Sequence, residues 1–277
     1  MVRIINIIVL MMIGDEAMAE TFKKATKITS IEKLTEDVYS MWIKDDEIAS
    51  YSKPGQFLSL FCKNENKLLP RPISICEVNK NDGTLRIVYR VVGGGTEEFS
   101  HLHESDTIEV MGPLGNGFIL EGITLKSKKA ILIGGGIGIP PMLELAKQLS
   151  CEKQIVLGYR DVTFLNEEFE AYGQVYLSTE DGSAGTKGNV IDAIKANQLE
   201  ADIIFACGPI PMLRGVKAYA KEHGIKAQLS MEERMACGVG ACLGCVCISK
   251  EKDHHTNVNN KRICKDGPVF YADEIEF

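Results

Sequence analysis

Ala130-Ile131-Leu132-Ile133 runs directly into Gly134-Gly135-Gly136-Ile137-Gly138, and a helical stretch from Pro141 to Leu149 follows. Four consecutive apolar residues suit a strand covered on both faces. A glycine turn between such a strand and a helix is the arrangement that cradles a dinucleotide's phosphates, although the spacing is not the strict G-x-G-x-x-G. Alone, a glycine cluster is weak evidence, because it is often only a turn. The arrangement recurs downstream, where Ile203-Ile204-Phe205-Ala206 ends in Cys207-Gly208-Pro209-Ile210-Pro211-Met212. Open α/β sheets bind ligands at the carboxyl ends of their strands, so two such turns reinforce each other. Ile155-Val156-Leu157 and Val175-Tyr176-Leu177 read as further buried strands, and Asn189–Ala196 and Met212–Glu222 as helices. The alternation specifies a doubly wound parallel α/β domain over residues 123–230.

Upstream the rhythm is different. Val38-Tyr39-Ser40-Met41-Trp42-Ile43, Gln56-Phe57-Leu58-Ser59-Leu60-Phe61 and Leu85-Arg86-Ile87-Val88-Tyr89-Arg90-Val91 are short strand candidates. Pro54-Gly55, Asn81-Asp82-Gly83 and Gly112-Pro113 supply turn chemistry between them. Many short strands within about a hundred residues imply an antiparallel β-barrel, here residues 20–122. Two motifs within it point to a diphosphate. Arg71-Pro72-Ile73-Ser74 offers a guanidinium fork, and Val92-Gly93-Gly94-Gly95-Thr96 opens a short helix running through Glu98 to His101. An arginine fork suits a diphosphate, and a helix start can add backbone N–H groups and the Thr96 hydroxyl.

The third region, residues 231–277, holds five of the nine cysteines. Cys237-Gly238-Val239-Gly240-Ala241-Cys242-Leu243-Gly244-Cys245 is followed, after eighteen further residues, by Cys264. Four residues, then two, then a distant fourth cysteine is the plant-type 2Fe–2S spacing. Gly238, Gly240 and Gly244 would let the loop turn sharply and aim N–H groups at sulfur. The competing reading is zinc, whose ribbons usually bring ligands as two close pairs; here the last cysteine is solitary. Cys247 reads as a small buried hydrophobe. An odd cysteine count with dense local spacing suits metal ligation in a reducing compartment, not a disulfide framework.

The bulk numbers exclude some partners. At 277 residues, 45% hydrophobic and 25% charged, the chain has ordinary globular composition and room for several cores. Its formal charge of −7 argues against nucleic acid, which calls for a basic surface. Glu180 and Asp181, after the strand at 175–178, would disfavour a 2′-phosphate and favour NAD over NADP; a solvated loop is the alternative.

Taken together, Arg71–Ser74, Gly93–Thr96, Gly112-Pro113-Leu114-Gly115-Asn116-Gly117-Phe118, Gly134–Pro141, Cys207–Met212 and the cysteine module resemble ferredoxin–NADP reductase-like flavoproteins. Among these the chain is most similar to the electron-transfer subunits of class 1B dihydroorotate dehydrogenases, over nearly everything from Glu20 to Phe277. The resemblance implies a multidomain β plus α/β chain: an FAD-binding barrel, an NAD domain and a small C-terminal 2Fe–2S module. It implies that Arg71, Pro72, Ile73, Ser74, Val88, Tyr89, Arg90, Gly95 and Thr96 hold FAD. It puts Gly134, Gly135, Gly136 and Gly138 near the pyrophosphate of NAD(H), and Cys207, Gly208 and Pro209 near its nicotinamide. Cys237, Cys242, Cys245 and Cys264 would ligate the cluster. No side chain is expected to perform the dihydroorotate step. That implies an FMN-bearing catalytic dihydroorotate dehydrogenase subunit as partner, two of each chain per assembly, in pyrimidine biosynthesis. The neighbouring reading is the flavin subunit of a ferredoxin–NADP reductase or sulfide dehydrogenase complex; one from another class is a zinc-stabilised nucleotide-binding regulator.

Residues 1–19 read as an N-terminal extension. The apolar run Ile4–Ile13 is too short for a spanning helix, so no membrane partner is expected. With Arg3 before it and Ala17-Met18-Ala19 after it, it loosely resembles a signal peptide. An upstream extension with Met18 as the start better fits an NAD-linked iron–sulfur flavoprotein, which belongs in the cytoplasm. The polar insertion Asp253–Lys261 departs from the family pattern, and its His254 and His255 read as solvated.

Overall fold

The computed structural model describes residues 20–121, 128–252 and 257–277. The expectations for the N-terminal extension and for His254 and His255 lie outside the described residues.

Six strands, β1 (Phe22–Lys33), β2 (Val38–Lys44), β3 (Phe57–Phe61), β4 (Arg71–Asn79), β5 (Thr84–Arg90) and β6 (Thr107–Leu114), close into an antiparallel barrel in the order β1-β2-β5-β4-β3-β6. Two short helices attach to it, α1 (Asp46–Tyr51), capped by Asp45, and α2 (Gly94–Ser100). Strand alternation sorts the side chains. Leu58 and Leu60 on β3, with Leu85, Ile87 and Tyr89 on β5, fill the barrel. Phe57 and Val88 face outward and are buried by the rest of the molecule.

Gly112 and Pro113 do not form the turn expected of them; they lie inside β6. The reason is a bulge. Ser59 stands opposite Met111 but Phe57 opposite Leu114, so β6 carries an extra residue where Pro113 falls. A bulge tolerates a residue that cannot donate to the ladder.

Six strands of the second domain are β7 (Lys129–Gly135), β8 (Glu152–Tyr159), β9 (Gln174–Thr179), β10 (Thr186–Lys187), β11 (Ile203–Cys207) and β12 (Lys226–Ser230). They are parallel and lie in the order β10-β9-β8-β7-β11-β12. Helices α3 (Pro141–Gln148) and α4 (Asn166–Phe169) cover one face, α5 (Val190–Ala196) and α6 (Ile210–His223) the other. The run at 130–133 is wholly apolar because both faces are dry. Ala130 and Leu132 pack with Met142, Leu143 and Phe169, while Ile131 and Ile133 pack with Val190, Ile194, Leu213 and Val216.

The C-terminal segment contributes β13 (Val246–Ser249), β14 (Asn260–Arg262), β15 (Val269–Tyr271) and β16 (Ile275–Glu276). Three of these form a small sheet, β14-β13-β16, while β15 joins the large sheet antiparallel to β12. The barrel is fixed to the α/β domain by polar contacts. The buried Glu144 carboxylate on α3 accepts from the Val78 N–H of β4 at 2.8 Å, and Arg86 of β5 pairs with Glu168 of α4. Burial pushes the Glu144 carboxyl above the usual carboxylate range. No described helix is long and apolar enough to cross a membrane.

Candidate functional site

The chain leaves β7 outward through β8, β9 and β10, then returns to place β11 on the other side of β7. The crevice beyond β7 and β11 is therefore the sheet's switch point, where open α/β sheets take ligands. Both glycine motifs meet there. Gly136–Gly138 form a single 3₁₀ turn. A Cβ on Gly138 would stand 2.5 Å from the Cys207 carbonyl oxygen and 2.6 Å from the Gly208 Cα. Pro140 and Pro141 lack N–H groups, so the donors in this loop belong to the glycine turn itself. The first turn of α6, after Pro209, has no side-chain cap and adds free N–H groups. Cys207 is fully buried, and burial pushes its thiol up, which leaves it neutral and no nucleophile.

This crevice opens toward the barrel as a cavity of about 900 Å³, lined on one side by Gly135, Gly136, Gly158, Ser178 and Pro209 and on the other by Tyr39 and Arg90. That volume lies at the upper end of the range for small-ligand sites and suits a dinucleotide. The Gly136–Gly138 turn approaches β5. Val88 and Arg90 thus face the loop from the barrel side, and Tyr89 between them points into the barrel. The Tyr89 hydroxyl is buried with no partner among the described residues, its ring held by Tyr39 and Phe99 at centroid distances of 6.0 and 6.1 Å. Arg90 Nε lies 3.1 Å from Asp37 Oδ2 but is not aligned for a hydrogen bond.

The two barrel motifs also converge. The Arg71 guanidinium lies over Gly95, where a Cβ would stand 2.0 Å from Arg71 Nε. Arg71 donates to the Leu69 carbonyl and Pro72, Ile73 and Ser74 continue along β4. Thr96 Oγ1 is engaged within its own turn, accepting from the Val92 N–H at 3.0 Å and donating to the Gly93 carbonyl at 3.0 Å. A guanidinium held against the N–H groups of a glycine turn, where a Cβ would not fit, suits the diphosphate of a flavin dinucleotide.

The cysteine loop lies on the outer face of β3 and β6. Gly238 and Gly240 have φ of +72° and +77°, conformations glycine adopts without penalty; Gly244 does not share them. Short contacts link the four cysteines. Cys237 Sγ and Cys242 Sγ are 3.3 Å apart, and the Cys264 N–H donates to Cys245 Sγ at 3.4 Å. The Gly240 N–H donates to Cys264 Sγ at 3.1 Å. Among the described residues no three His, Cys, Asp or Glu groups surround a single point fit for one ion. Four cysteines brought into one neighbourhood suit a 2Fe–2S cluster. Burial raises the Cys237 thiol, but N–H groups of Val239, Cys242 and Ala241 and the Cys242 side chain outweigh it and bring it to about 6. Burial and the neighbouring Cys245 push Cys264 up to about 12. Bound iron would deprotonate both.

Cys247 is half-buried on β13, between the exposed Val246 and Ile248, with its thiol raised by burial. Cys247→Ser should therefore leave the visible absorption and iron content of the chain unchanged; a bleached variant would make Cys247 a ligand.

Sequence reading missed Tyr39, Asp37, Arg160, Ser178 and Asn189, all of which line the cavity. Ser178 was within reach: it is the penultimate residue of β9 as Cys207 is the last of β11, so the strand-end rule that flagged Cys207 applies to it as well. Glu180 lines the cavity, whereas Asp181 accepts from the Ser183 N–H and hydroxyl.

Comparison with known proteins matches residues 25–118 to the oxidoreductase FAD-binding domain and residues 232–276 to the iron–sulfur cluster binding domain of dihydroorotate dehydrogenase B. The dihydroorotate dehydrogenase B (NAD(+)) electron transfer subunit of Fusobacterium nucleatum is 42% identical, covering 88% of this chain and 95% of that one. Its namesake in Listeria monocytogenes is 45% identical, covering 90% and 97%. A solved chain of an NADH-dependent reduced ferredoxin–NADP oxidoreductase is 31% identical with a TM-score of 0.80, over 91% of this chain and 90% of that one. Barrel, switch-point crevice and cysteine loop therefore occur in one chain with relatives that match it nearly end to end, and the chain belongs to the family of dihydroorotate dehydrogenase B (NAD(+)) electron transfer subunits.

Proposed function

We propose that the chain carries electrons between a dihydroorotate-oxidising catalytic subunit and NAD⁺, as the electron-transfer subunit of a dihydroorotate dehydrogenase in pyrimidine biosynthesis. Its resident cofactors are FAD and one 2Fe–2S cluster. The observation that carries this reading is the convergence of two dinucleotide-type motifs on one crevice, with a cysteine loop packed against the same barrel. When bound, a flavin converts the two-electron exchange of NAD(H) into the one-electron exchange of a cluster. The chain's own residues hold and orient these groups.

The ligand assignment is Cys237, Cys242, Cys245 and Cys264 for the cluster. Arg71, Pro72, Ile73, Ser74, Val88, Tyr89, Arg90, Gly95 and Thr96 serve FAD. Gly134, Gly135, Gly136, Gly138, Cys207, Gly208 and Pro209 serve NAD(H). The division into residues 20–122, 123–230 and 231–277 follows these functions, with β15 tying the last part into the sheet of the second. The partner is the FMN-bearing catalytic subunit, in an assembly of two of each chain, in the cytoplasm.

The experiment is co-purification with the native partner, followed by dihydroorotate-dependent NAD⁺ reduction. Reduction of NAD⁺ supports the proposal. Activity with ferredoxin and none with dihydroorotate favours the second reading, a ferredoxin–NADP reductase-type subunit, to which the 31% identical solved chain is the pointer. A colourless, zinc-loaded protein overturns both.

A further inference from the structure

We propose that the Ser59 hydroxyl is a hydrogen-bond donor to the sulfur atoms of the iron–sulfur cluster and raises the cluster's reduction potential, a role that rests on the cluster reading above. Ser59 is 1% exposed, and its Oγ has no partner among the described residues. A buried hydroxyl without a partner is costly, so its surroundings in the working protein must supply one.

The direction it faces identifies that partner. On β3, Leu58 and Leu60 point into the barrel, so Phe57 and Ser59 point out. Phe57 on that outer face shares its core with Met235, Cys245, Ile263 and Cys264. Ser59 therefore looks at the cysteine module and away from the barrel interior. Its closest relation there is the loop itself. Ser59 Oγ is the atom nearest to where a Gly238 Cβ would stand, at 2.8 Å, and the next are the apolar Leu114 Cδ1 at 3.6 Å and Met111 Cε at 4.0 Å. Gly238 directly follows the proposed ligand Cys237. The loop's own N–H groups already donate to sulfur at Cys237 and Cys264. Ser59 adds a donor to that set from the barrel.

Its place on β3 gives the position functional weight. Across the ladder Ser59 stands opposite Pro72, in the motif assigned to FAD. Ser59 is thus the polar group of β3 that stands beside the motif assigned to FAD. Hydrogen bonds to sulfur stabilise the reduced, more negative cluster and raise its potential. Losing one donor must lower it.

The test is a redox titration of the full-length holo-chain followed by the electron paramagnetic resonance of the reduced cluster, for the parent, Ser59→Ala and Ser59→Thr. Ser59→Ala should keep parental iron content and visible absorption while the cluster midpoint moves to a more negative potential, with the flavin midpoint unmoved. Ser59→Thr, which keeps the hydroxyl, should titrate with the parent; if its extra methyl blocks cluster loading, the alanine variant alone decides. An Ser59→Ala chain with normal colour and an unchanged cluster potential, or with only the flavin potential shifted, overturns the proposal and leaves the functional reading standing. A parent chain that takes up no iron overturns the cluster reading and this proposal with it.

Discussion

Cys264→Ser should strip the chain of its cluster while leaving the flavin in place. Cys264 is the proposed ligand farthest in sequence from the loop, and it is 2% exposed. It is held from two sides, by the Gly240 N–H at its sulfur and by its own N–H donating to Cys245 Sγ. A serine there offers an alkoxide-type ligand of much higher pKa in a site where burial already works against ionisation. Substitutions that merely touch a metal's supporting groups cost about 10–100-fold in affinity or activity, so removal of a direct ligand should exceed that range. The expected result is iron content near zero and loss of the cluster's visible bands. Electron delivery from the partner to NAD⁺ should fall by more than about 100-fold. Reduction of the flavin by NADH should survive, because Arg71, Gly95 and the switch-point crevice do not depend on Cys264. Iron analysis and stopped-flow flavin bleaching separate the two effects. A variant that keeps its cluster would take Cys264 out of the ligand set.

The contrast with Cys247 shows which parts of the site were open to sequence reading. Spacing distinguishes Cys237, Cys242 and Cys245 from Cys247, because a tight loop can only bring certain positions round one centre, and spacing is local information. The glycines needed for that loop were legible for the same reason, and Gly238 and Gly240 take the left-handed conformations the turn demands. The doubly wound sheet was legible because both faces of β7 are buried, which leaves an apolar run with no polar alternation to confuse it. β1 was not legible. Its burial peaks at Thr26 and Ile28, so a buried threonine stands where an apolar residue would have marked the period. Gly112 and Pro113 misled because a bulge set by the partner strand, which no local rule contains, lets proline sit inside β6. The same holds for β15, a three-residue strand in the cysteine-rich segment whose partner, β12, lies about forty residues earlier in the sequence. Ser59 is the extreme case. An ordinary serine in an ordinary strand carries no signal until the loop it meets is folded against it.

Gly138→Ala should be the most damaging single methyl added to the switch-point crevice proposed to take NAD(H). The two motifs at the switch point belong to different βα units, about seventy residues apart in sequence, and they meet backbone to backbone. The alanine Cβ would stand 2.5 Å from the Cys207 carbonyl oxygen, 2.6 Å from its carbonyl carbon and 2.6 Å from the Gly208 Cα. None of these is the end of a flexible side chain, so relief requires the 136–138 turn and the 207–209 turn to move apart. Overpacking of this kind costs about 1–3 kcal/mol in stability. The functional cost should be larger than that figure suggests, because the ligand needs both turns at once. Misplacing binding groups by about 1 Å is enough to cost a reaction roughly 100-fold. The expected outcome is a folded chain with parental flavin and cluster absorption, whose flavin is reduced by NADH at least tenfold more slowly at a fixed, sub-saturating NADH concentration, by the same positional argument. Gly136→Ala provides the comparison: a Cβ there meets nothing within 4 Å, though its φ of +53° strains any L residue. If the two variants lose NADH reactivity equally, backbone strain in the turn accounts for the loss and the close approach of the two loops does not. If Gly138→Ala alone collapses NADH reactivity, the dinucleotide is held by the junction of the two motifs, and the chain has brought distant glycines together to make one site.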